Sequence, residues 1–244
     1  MTEAMKALAD LIAHSRKTVF FGGAGTSTES GIPDFRSSDG LYHQKWAYPP
    51  ETILSHSFWE AQPETFYRFY REKMLFPDAQ PNKAHRSLAR LENAGLLYAV
   101  VTQNIDDLHQ KAGSRNVIEL HGTVMKNHCV RCRRGYGLNT ILSTKGIPVC
   151  ECGGIIKPDV VLYEESLPDE AVQAAVSAIE TAELLIIGGT SLTVYPAAGF
   201  VRLCPGKIAV INKSPTQMDQ RADVLISESI GETLDEICKE LLKV

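Results

Sequence analysis

The spacing of apolar residues predicts that the chain alternates between helices and buried strands. Residues 3–14 carry apolar side chains at helical spacing, so the chain opens with an amphipathic helix. The next apolar run, 18–21, is short and continuous, which is typical of a strand buried on both faces of a parallel sheet. Similar runs occur at 97–102, 117–120, 183–188, 208–212 and 223–226, and further helical patterns occur at 84–93 and 169–182. This alternation predicts an α/β fold with a doubly wound parallel sheet.

Two segments interrupt the alternation. The segment 32–50 is punctuated by prolines and a glycine, and it is much longer than the roughly 4–6 residues that usually connect elements in a compact domain. Long loops of this kind are usually functional. The segment 123–157 contains four clustered cysteines among glycines, between two parts of the α/β pattern. It predicts a small inserted module.

Composition and charge narrow the classes of function. The 244 residues are 44% apolar and 22% charged, which provides enough apolar side chain for a folded core. The formal net charge of −4 disfavours nucleic acid as a partner. Apolar stretches reach about six residues where a membrane span needs about 20, and charges interrupt residues 1–17 where a secretory signal would be apolar. We expect a monomeric protein in the cytoplasm, with neither a membrane nor nucleic acid as a partner.

The four clustered cysteines form the most specific local motif. Cys129 and Cys132 are spaced C-x2-C, and Cys150 and Cys152 follow after 17 intervening residues as C-x-C. This is close to the spacing of a two-knuckle zinc site, and four thiolates leave no ligand position for water. Two disulfide bonds are the alternative, which a reducing compartment disfavours. The motif predicts one structural Zn²⁺ per chain.

A glycine turn ends the first predicted strand at 22–25. Backbone amides of such a turn can approach a phosphate, although Thr28 stands where the usual G-x-G-x-x-G motif has its third glycine. A tight turn without a ligand is the alternative. The loop that follows places Phe35 beside the permanently charged Arg36, and this pair can stack on a ring and reach a pyrophosphate. Together, the turn and the loop favour a dinucleotide site.

Polar residues follow four further predicted strands. The stretch 102–106 offers amide and carboxylate groups that can bind ribose hydroxyls or a carboxamide, and a helix cap is the alternative. His121 is the histidine best placed to transfer a proton near neutral pH. Small and hydroxyl residues at 188–191 and the pair 211–212 end two more strands. Because the carboxyl ends of parallel strands meet at one edge of the sheet, we expect these residues to line one crevice.

The ordered set of these motifs resembles the sirtuin family. The motifs are G-A-G-T-S-T (23–28), G-I-P-D-F-R (31–36), T-Q-N-I-D (102–106), H-G (121–122), the four cysteines, K-P-D-V-V (157–161), G-T-S (189–191) and I-N (211–212). The resemblance covers roughly residues 3 to 240. It implies an NAD-dependent protein-lysine deacetylase, which transfers the acetyl group of acetyl-lysine to ADP-ribose and releases nicotinamide. Its partners would be acetylated lysine side chains of proteins.

The resemblance also implies how the domains are arranged. A large Rossmann-like domain binds NAD, and a smaller zinc-ribbon plus helical domain is inserted into it. The expected boundaries are 1–34, 77–122 and 158–244 for the large domain, 35–76 for the cofactor loop and the helical part, and 123–157 for the zinc-binding module. Acyl-lysine and NAD would enter the cleft between the two domains.

Carried over by position, the resemblance implies a role for each motif residue. His121 resembles the general base, and Asn104 and Asp106 would act with it as catalytic residues. NAD would be contacted by these three and by Ala24, Thr28, Phe35, Arg36, Gln103, Ile105, Thr190, Ser191, Asn212 and Ile230. The acyl-lysine would contact Val160, Val161 and Tyr163, with its backbone paired as a strand between two enzyme segments.

One segment bears on the acyl group. Family members that prefer succinyl- or malonyl-lysine have a Tyr-x-x-Arg pair, whereas here Tyr70 is followed three residues later by Lys73. A lysine cannot reproduce the bidentate grip of an arginine on a carboxylate. We therefore expect a preference for acetyl-lysine.

Two other functions are alternatives. Some members of the family transfer ADP-ribose onto proteins, so a protein ADP-ribosyltransferase is the first alternative. A non-catalytic NAD- or zinc-binding adaptor is the second, and such an adaptor would not need His121.

Overall fold

Six parallel strands form the centre of the structure, a computed structural model that describes residues 1–35, 40 and 46–243. In chain order they are β1 Thr18–Gly22, β2 Ala99–Thr102, β3 Val117–Glu119, β7 Leu184–Gly188, β8 Lys207–Ile211 and β9 Val224–Ile226. Their order across the sheet is β3-β2-β1-β7-β8-β9. The chain therefore begins in the middle and winds outward in both directions, which confirms the doubly wound sheet. The winding changes direction between β1 and β7, where α/β sheets open a crevice at their carboxyl edge.

Helices cover both faces of this sheet. The helices α1 Glu3–His14, α5 Lys83–Asn93 and α10 Ile230–Leu242 pack on one face, and α8 Asp169–Glu180 and α9 Ala197–Phe200 pack on the other. Successive residues of a strand point to opposite faces, so Phe20 packs with the first group while Val19 and Phe21 pack with the second. Both faces are buried, which explains why the predicted strands read as continuous apolar runs. Every predicted boundary of these elements is right to within two residues.

A second, smaller body is built from two separate segments of the chain. Its antiparallel sheet has the order β5-β4-β6, with β4 Gly122–Cys129, β5 Gly135–Gly137 and β6 Ile156–Val160, and α7 Leu138–Ser143 lies beside it. The earlier segment forms α2 Pro50–Ile53, α3 His56–Ala61 and α4 Pro63–Lys73.

The two segments of this small body share one apolar core. Phe66 and Tyr67 of α4 pack with Ile141 and Ile156 of the cysteine-bearing segment, and the Tyr67 hydroxyl donates to the Ile156 carbonyl at 2.6 Å. This confirms the predicted zinc-ribbon plus helical domain, while its exact boundaries remain a prediction. Among the described residues, no helix is long and apolar enough to span a membrane.

The chain crosses between the two sheets directly after His121. Gly122 has a φ of +72°, and a Cβ there would lie 1.9 Å from the Asp159 carbonyl oxygen, so only glycine fits. The chain returns from the small body to the large one at the same place, where the Val161 N–H donates to the His121 carbonyl at 2.9 Å. His121 therefore lies at the joint of the two bodies.

Candidate active site

A cavity of about 540 Å³ opens at the carboxyl edge of the large sheet, and residues of both bodies line it. It contains every residue predicted to contact NAD or acyl-lysine except Arg36, which lies outside the described residues. Those lining residues are Ala24, Thr28, Phe35, Gln103, Asn104, Ile105, Asp106, His121, Val160, Val161, Tyr163, Thr190, Ser191, Asn212 and Ile230. The strand ends thus converge on one crevice, while the role of each residue remains a prediction.

The glycine turn is required by the packing of two strand ends. After β1 the chain makes two short 3₁₀ turns, at Ala24–Thr26 and Thr28–Ser30, and the Gly25 N–H donates to the Gly189 carbonyl at 2.8 Å. A Cβ on Gly25 would lie 2.8 Å from that carbonyl oxygen, and one on Gly23 would lie 2.9 Å from the Cβ of Thr190. The ends of β1 and β7 therefore meet backbone against backbone. This close approach is a second reason for glycine, besides access of the amides to a ligand.

The imidazole of His121 is held in one tautomer. Its Nδ1 lies 3.0 Å from the Gln103 carbonyl oxygen, and because a carbonyl can only accept, Nδ1 carries the proton. Burial lowers the pKa of His121 below that of an exposed histidine, so the ring is neutral at pH 7. Nε2 is then unprotonated, and it has no hydrogen-bond partner among the described residues. This nitrogen is able to accept a proton.

A buried serine joins the two catalytic candidates on the stretch 102–106. The Ser27 hydroxyl donates to Asp106 Oδ2 at 2.6 Å and accepts from Asn104 Nδ2 at 3.0 Å. The other carboxylate oxygen, Oδ1, accepts the Leu108 N–H at 3.0 Å, where the short helix α6 Leu108–Lys111 begins. Asp106 thus bonds the first residue of α6, one position before the N-cap Asp107, and also lines the cavity, while its role toward a ligand remains a prediction. Burial raises the pKa of Asp106, and these hydrogen bonds oppose the rise.

A histidine behind Ser27 sets the direction of this network. The Asn82 N–H donates to His85 Nδ1 at 3.3 Å, so the neutral ring carries its proton on Nε2, which lies 3.4 Å from the Ser27 oxygen. Burial lowers the pKa of His85 to about 4. The ring of His109 packs against it at 4.7 Å between centroids. The Ser27 hydroxyl therefore has Asp106 as its acceptor.

Side chains also tie the ends of three neighbouring strands together. The Gln103 amide donates to the Thr190 hydroxyl at 3.0 Å, and the Gln103 N–H donates to the Gly22 carbonyl at 3.0 Å. These contacts span β2, β1 and β7. They hold Gln103 and Thr190 in fixed positions on the cavity wall.

The segment 160–163 forms the wall between the two bodies. At one end it is bonded to His121, as described above. At the other end the Tyr163 N–H donates to the Leu54 carbonyl, and the Tyr163 carbonyl accepts the His56 N–H, both at 3.0 Å. The segment is therefore bonded to the joint on one side and to the helical part of the small body on the other.

The two residues considered for the acyl group occupy different places. Lys73, at the end of α4, lines the cavity. Tyr70 does not: it is fully buried in the small body's core, and its hydroxyl has no hydrogen-bond partner among the described residues. No arginine lies among the described residues that line the cavity.

The four cysteines come together as one cluster. Their sulfur atoms all lie within 4.8 Å of one another, with 3.4 Å between Cys129 and Cys152 and 3.6 Å between Cys132 and Cys150. A disulfide needs about 2.05 Å, so that alternative is wrong. A tetrahedral zinc with Zn–S bonds of about 2.3 Å needs sulfurs slightly under 4 Å apart, which fits. A Cβ on Gly154 would lie 2.6 Å from the Cys129 sulfur, so this glycine is needed for the close approach.

Comparisons with known proteins agree on one family. The model of the Sir2 family matches residues 23–196. An NAD-dependent protein deacetylase of Clostridium perfringens is 53% identical over 242 residues, which are 97% of this chain and 99% of the relative. A solved structure of Sir2 with a p53 peptide and NAD+ has a TM-score of 0.88 at 40% identity and covers 100% of both chains. Another, of a Sir2 variant with a deacetylated p53 peptide and 3′-O-acetyl ADP-ribose, has a TM-score of 0.89 at 40% identity and covers 97% of this chain and 98% of that one.

Proposed function

This chain belongs to the Sir2 family and is an NAD-dependent protein deacetylase, and we propose that the cavity between its two bodies is the active site. The observation that carries this proposal is the state of His121. A neutral histidine, whose Nε2 has no hydrogen-bond partner in the described part of the chain, lines a cavity that also contains the strand-end residues typical of dinucleotide sites.

The residues of the cavity fit NAD. The glycine turn brings backbone amides to the crevice, Thr190 and Ser191 add hydroxyl donors, and Asn104 and Asp106 offer an amide and a carboxylate. Asn212 and Ile230 line the same cavity and would face the adenosine, and Phe35 would cover the nicotinamide. When bound, NAD supplies the nicotinamide that leaves and the ribose that receives the acetyl group.

His121 acts as the general base. With NAD bound, its Nε2 would accept the proton of a ribose hydroxyl, so that this oxygen could take up the acetyl group as the lysine amine is released. The Gln103 carbonyl accepts from Nδ1–H throughout, so it keeps the ring oriented and stabilises the imidazolium that forms. No nucleophilic side chain of the protein is needed.

The Ser27 network holds the nicotinamide pocket. The Ser27 hydroxyl accepts a hydrogen bond from the Asn104 amide and donates one to the Asp106 carboxylate. Both of these side chains are therefore held in place before the cofactor binds. Fixed donors and acceptors lose little entropy when they bind a carboxamide. Asn104 and Asp106 would therefore orient the nicotinamide and weaken its bond to the ribose.

The acyl-lysine lies against the segment 160–163, where Val160, Val161 and Tyr163 line the cavity.

The zinc site is separate, because none of the four cysteines lines this cavity. Its zinc ion is therefore structural and takes no part in proton transfer. None of the six cysteines forms a disulfide, which fits a reducing compartment and supports a cytoplasmic protein. We expect a monomer, and light scattering at micromolar concentration measures this.

Turnover should depend on both substrates. Release of nicotinamide from NAD should require an acetylated peptide, and the deacetylated peptide should appear in equal amount, because one NAD is consumed for each lysine. Mass spectrometry of the peptide with a nicotinamide assay measures both. Equal deacetylation without NAD would refute the function. ADP-ribose attached to a protein acceptor as the main product would favour the transferase alternative instead.

The acyl preference gives a second test. Acetyl peptides should show a kcat/KM about 10-fold or more above that of succinyl peptides of the same sequence, because no bidentate arginine lines the described part of the cavity. Replacing Lys73 by arginine should narrow this difference. A wild-type preference for succinyl-lysine would contradict the assignment.

A further inference from the structure

Gln217 lies outside the catalytic residues, on the exposed loop that follows β8, yet it contacts the segment 189–196 that lines the cavity. Its Nε2 donates to the Leu192 carbonyl at 2.7 Å, and its Oε1 accepts from Arg202 at 2.6 Å. The Tyr195 hydroxyl lies 3.2 Å from both atoms of the amide. One side chain therefore bridges two loops that leave neighbouring strands.

The chemistry of these partners fixes the amide's orientation. A carbonyl can only accept and a guanidinium can only donate, so the nitrogen faces Leu192 and the oxygen faces Arg202. Glutamine is the side chain of this length that offers one donor and one acceptor together. Glutamate would place a carboxylate oxygen against the Leu192 carbonyl.

The loop that carries Gln217 is anchored by the residues directly after it. Met218 is buried in the same apolar cluster as Leu192. Arg221 donates to the carbonyls of Arg202 and Cys204 at 3.1 and 2.6 Å. The backbone that carries the Gln217 side chain is therefore held in a fixed position.

The residue that Gln217 holds has an unfavourable backbone conformation. Leu192 is buried, and its φ of +53° lies in the left-handed region that non-glycine residues rarely adopt. Its N–H donates to the Thr190 hydroxyl at 3.2 Å, the same hydroxyl that accepts from Gln103. A continuous chain of hydrogen bonds thus runs from Gln217 through Leu192 and Thr190 to Gln103.

We propose that Gln217 is a positioning residue for both substrates of the deacetylation. It holds the segment 189–196 so that Thr190 and Ser191 meet the cofactor phosphates and Tyr195 frames the entrance for the acyl-peptide. The same loop begins with residues 212–214, which line the cavity at the adenosine end, so Gln217 connects the two ends of the site. This proposal rests on the proposed function of the cavity.

The test compares Gln217→Glu and Gln217→Met with Gln220→Glu. Gln220 lies on the same exposed loop without a hydrogen bond to any described residue, so it controls for the added charge. Both Gln217 variants should weaken NAD binding, measured by calorimetry, and raise the KM for acetyl peptide about 10-fold, with a smaller change in kcat. Hydrogen exchange at residues 190–195 should become faster in both. Gln220→Glu should match the wild type in every measurement.

Two results would overturn the proposal. One is NAD binding and peptide KM within about twofold of the wild type in both Gln217 variants, whatever the exchange rates. The other is an equal loss in Gln220→Glu, which would show a nonspecific charge effect. If the wild-type protein itself released no nicotinamide, the proposed function would fail, while NAD binding by the two Gln217 variants would still show whether Gln217 positions the cofactor side of the cavity.

Discussion

Replacing His121 by alanine should lower the rate of deacetylation about 10²–10⁴-fold, the range expected for loss of a general base. Binding of NAD and acetyl peptide should change much less. The hydrogen bond that is lost, from His121 Nδ1 to the Gln103 carbonyl, orients the imidazole ring and does not hold the rest of the cavity wall in place. Single-turnover rates and calorimetric binding constants separate the two effects.

His14→Ala is the matched control. His14 is exposed at the end of α1 and bonds only to Asp10 of its own helix among the described residues. Its loss should leave turnover unchanged. A His121 variant with nearly wild-type turnover would show that the base lies elsewhere.

The pH dependence of kcat/KM should also show the role of His121. Only the neutral ring can accept the proton, so kcat/KM should be constant at neutral pH and fall as acid protonates His121. Because burial lowers this pKa, the midpoint of the fall should lie below about pH 6.5, the ordinary histidine value. The His121→Ala variant should lack this acidic limb. A limb of unchanged position in the variant would assign it to another group.

Removing the zinc should give the second large effect. Cys129→Ser should abolish stoichiometric zinc, lower the melting temperature by about 10 °C, and reduce activity about 10-fold or more, because metal binding and folding of such a module are coupled. The effect should spread beyond the module, since Cys129 is buried in the core that α4 shares. Elemental analysis of the wild type should find about one zinc per chain.

Cys204→Ala is the control for loss of a buried thiol. Cys204 is buried in the large body and lies outside the sulfur cluster, so its zinc content should equal that of the wild type. A metal-free protein that stays fully folded and active would contradict the structural role. So would a cobalt-substituted protein with a water ligand that titrates together with activity.

The strands and main helices could be predicted because burial on both faces leaves a direct pattern in the sequence. The run 18–21 and its counterparts have no polar residue inside them, except for Glu119 in the run 117–120, and their ends carry the residues that line the cavity. The cysteine spacing likewise indicated the zinc site. These features are local, so neighbouring residues are sufficient to recognise them.

The hydrogen-bond networks could not be predicted in the same way. Ser27 lies in a turn that the neighbouring glycines are enough to account for, so the sequence gives no separate reason to single it out. Its partners Asn104, Asp106 and His85 are 58 to 79 residues away in the chain. Gln217 is an exposed amide without any motif around it. The spacing of Tyr70 and Lys73 places Tyr70 in the acyl pocket by resemblance, but the helical face that carries it packs into the small body's core. Such contacts depend on how elements meet in space.

The joint beside His121 has a consequence for how the chain can be altered. Gly122 pairs with Val160, and just outside that pair the Val161 N–H donates to the His121 carbonyl, so the segment 123–159 leaves and returns at one point. A segment whose ends meet can be shortened, lengthened or exchanged without moving its points of attachment. The zinc module is therefore a natural unit for making chimeras between related enzymes. The condition on such a graft is that it keeps the apolar face that packs on α4.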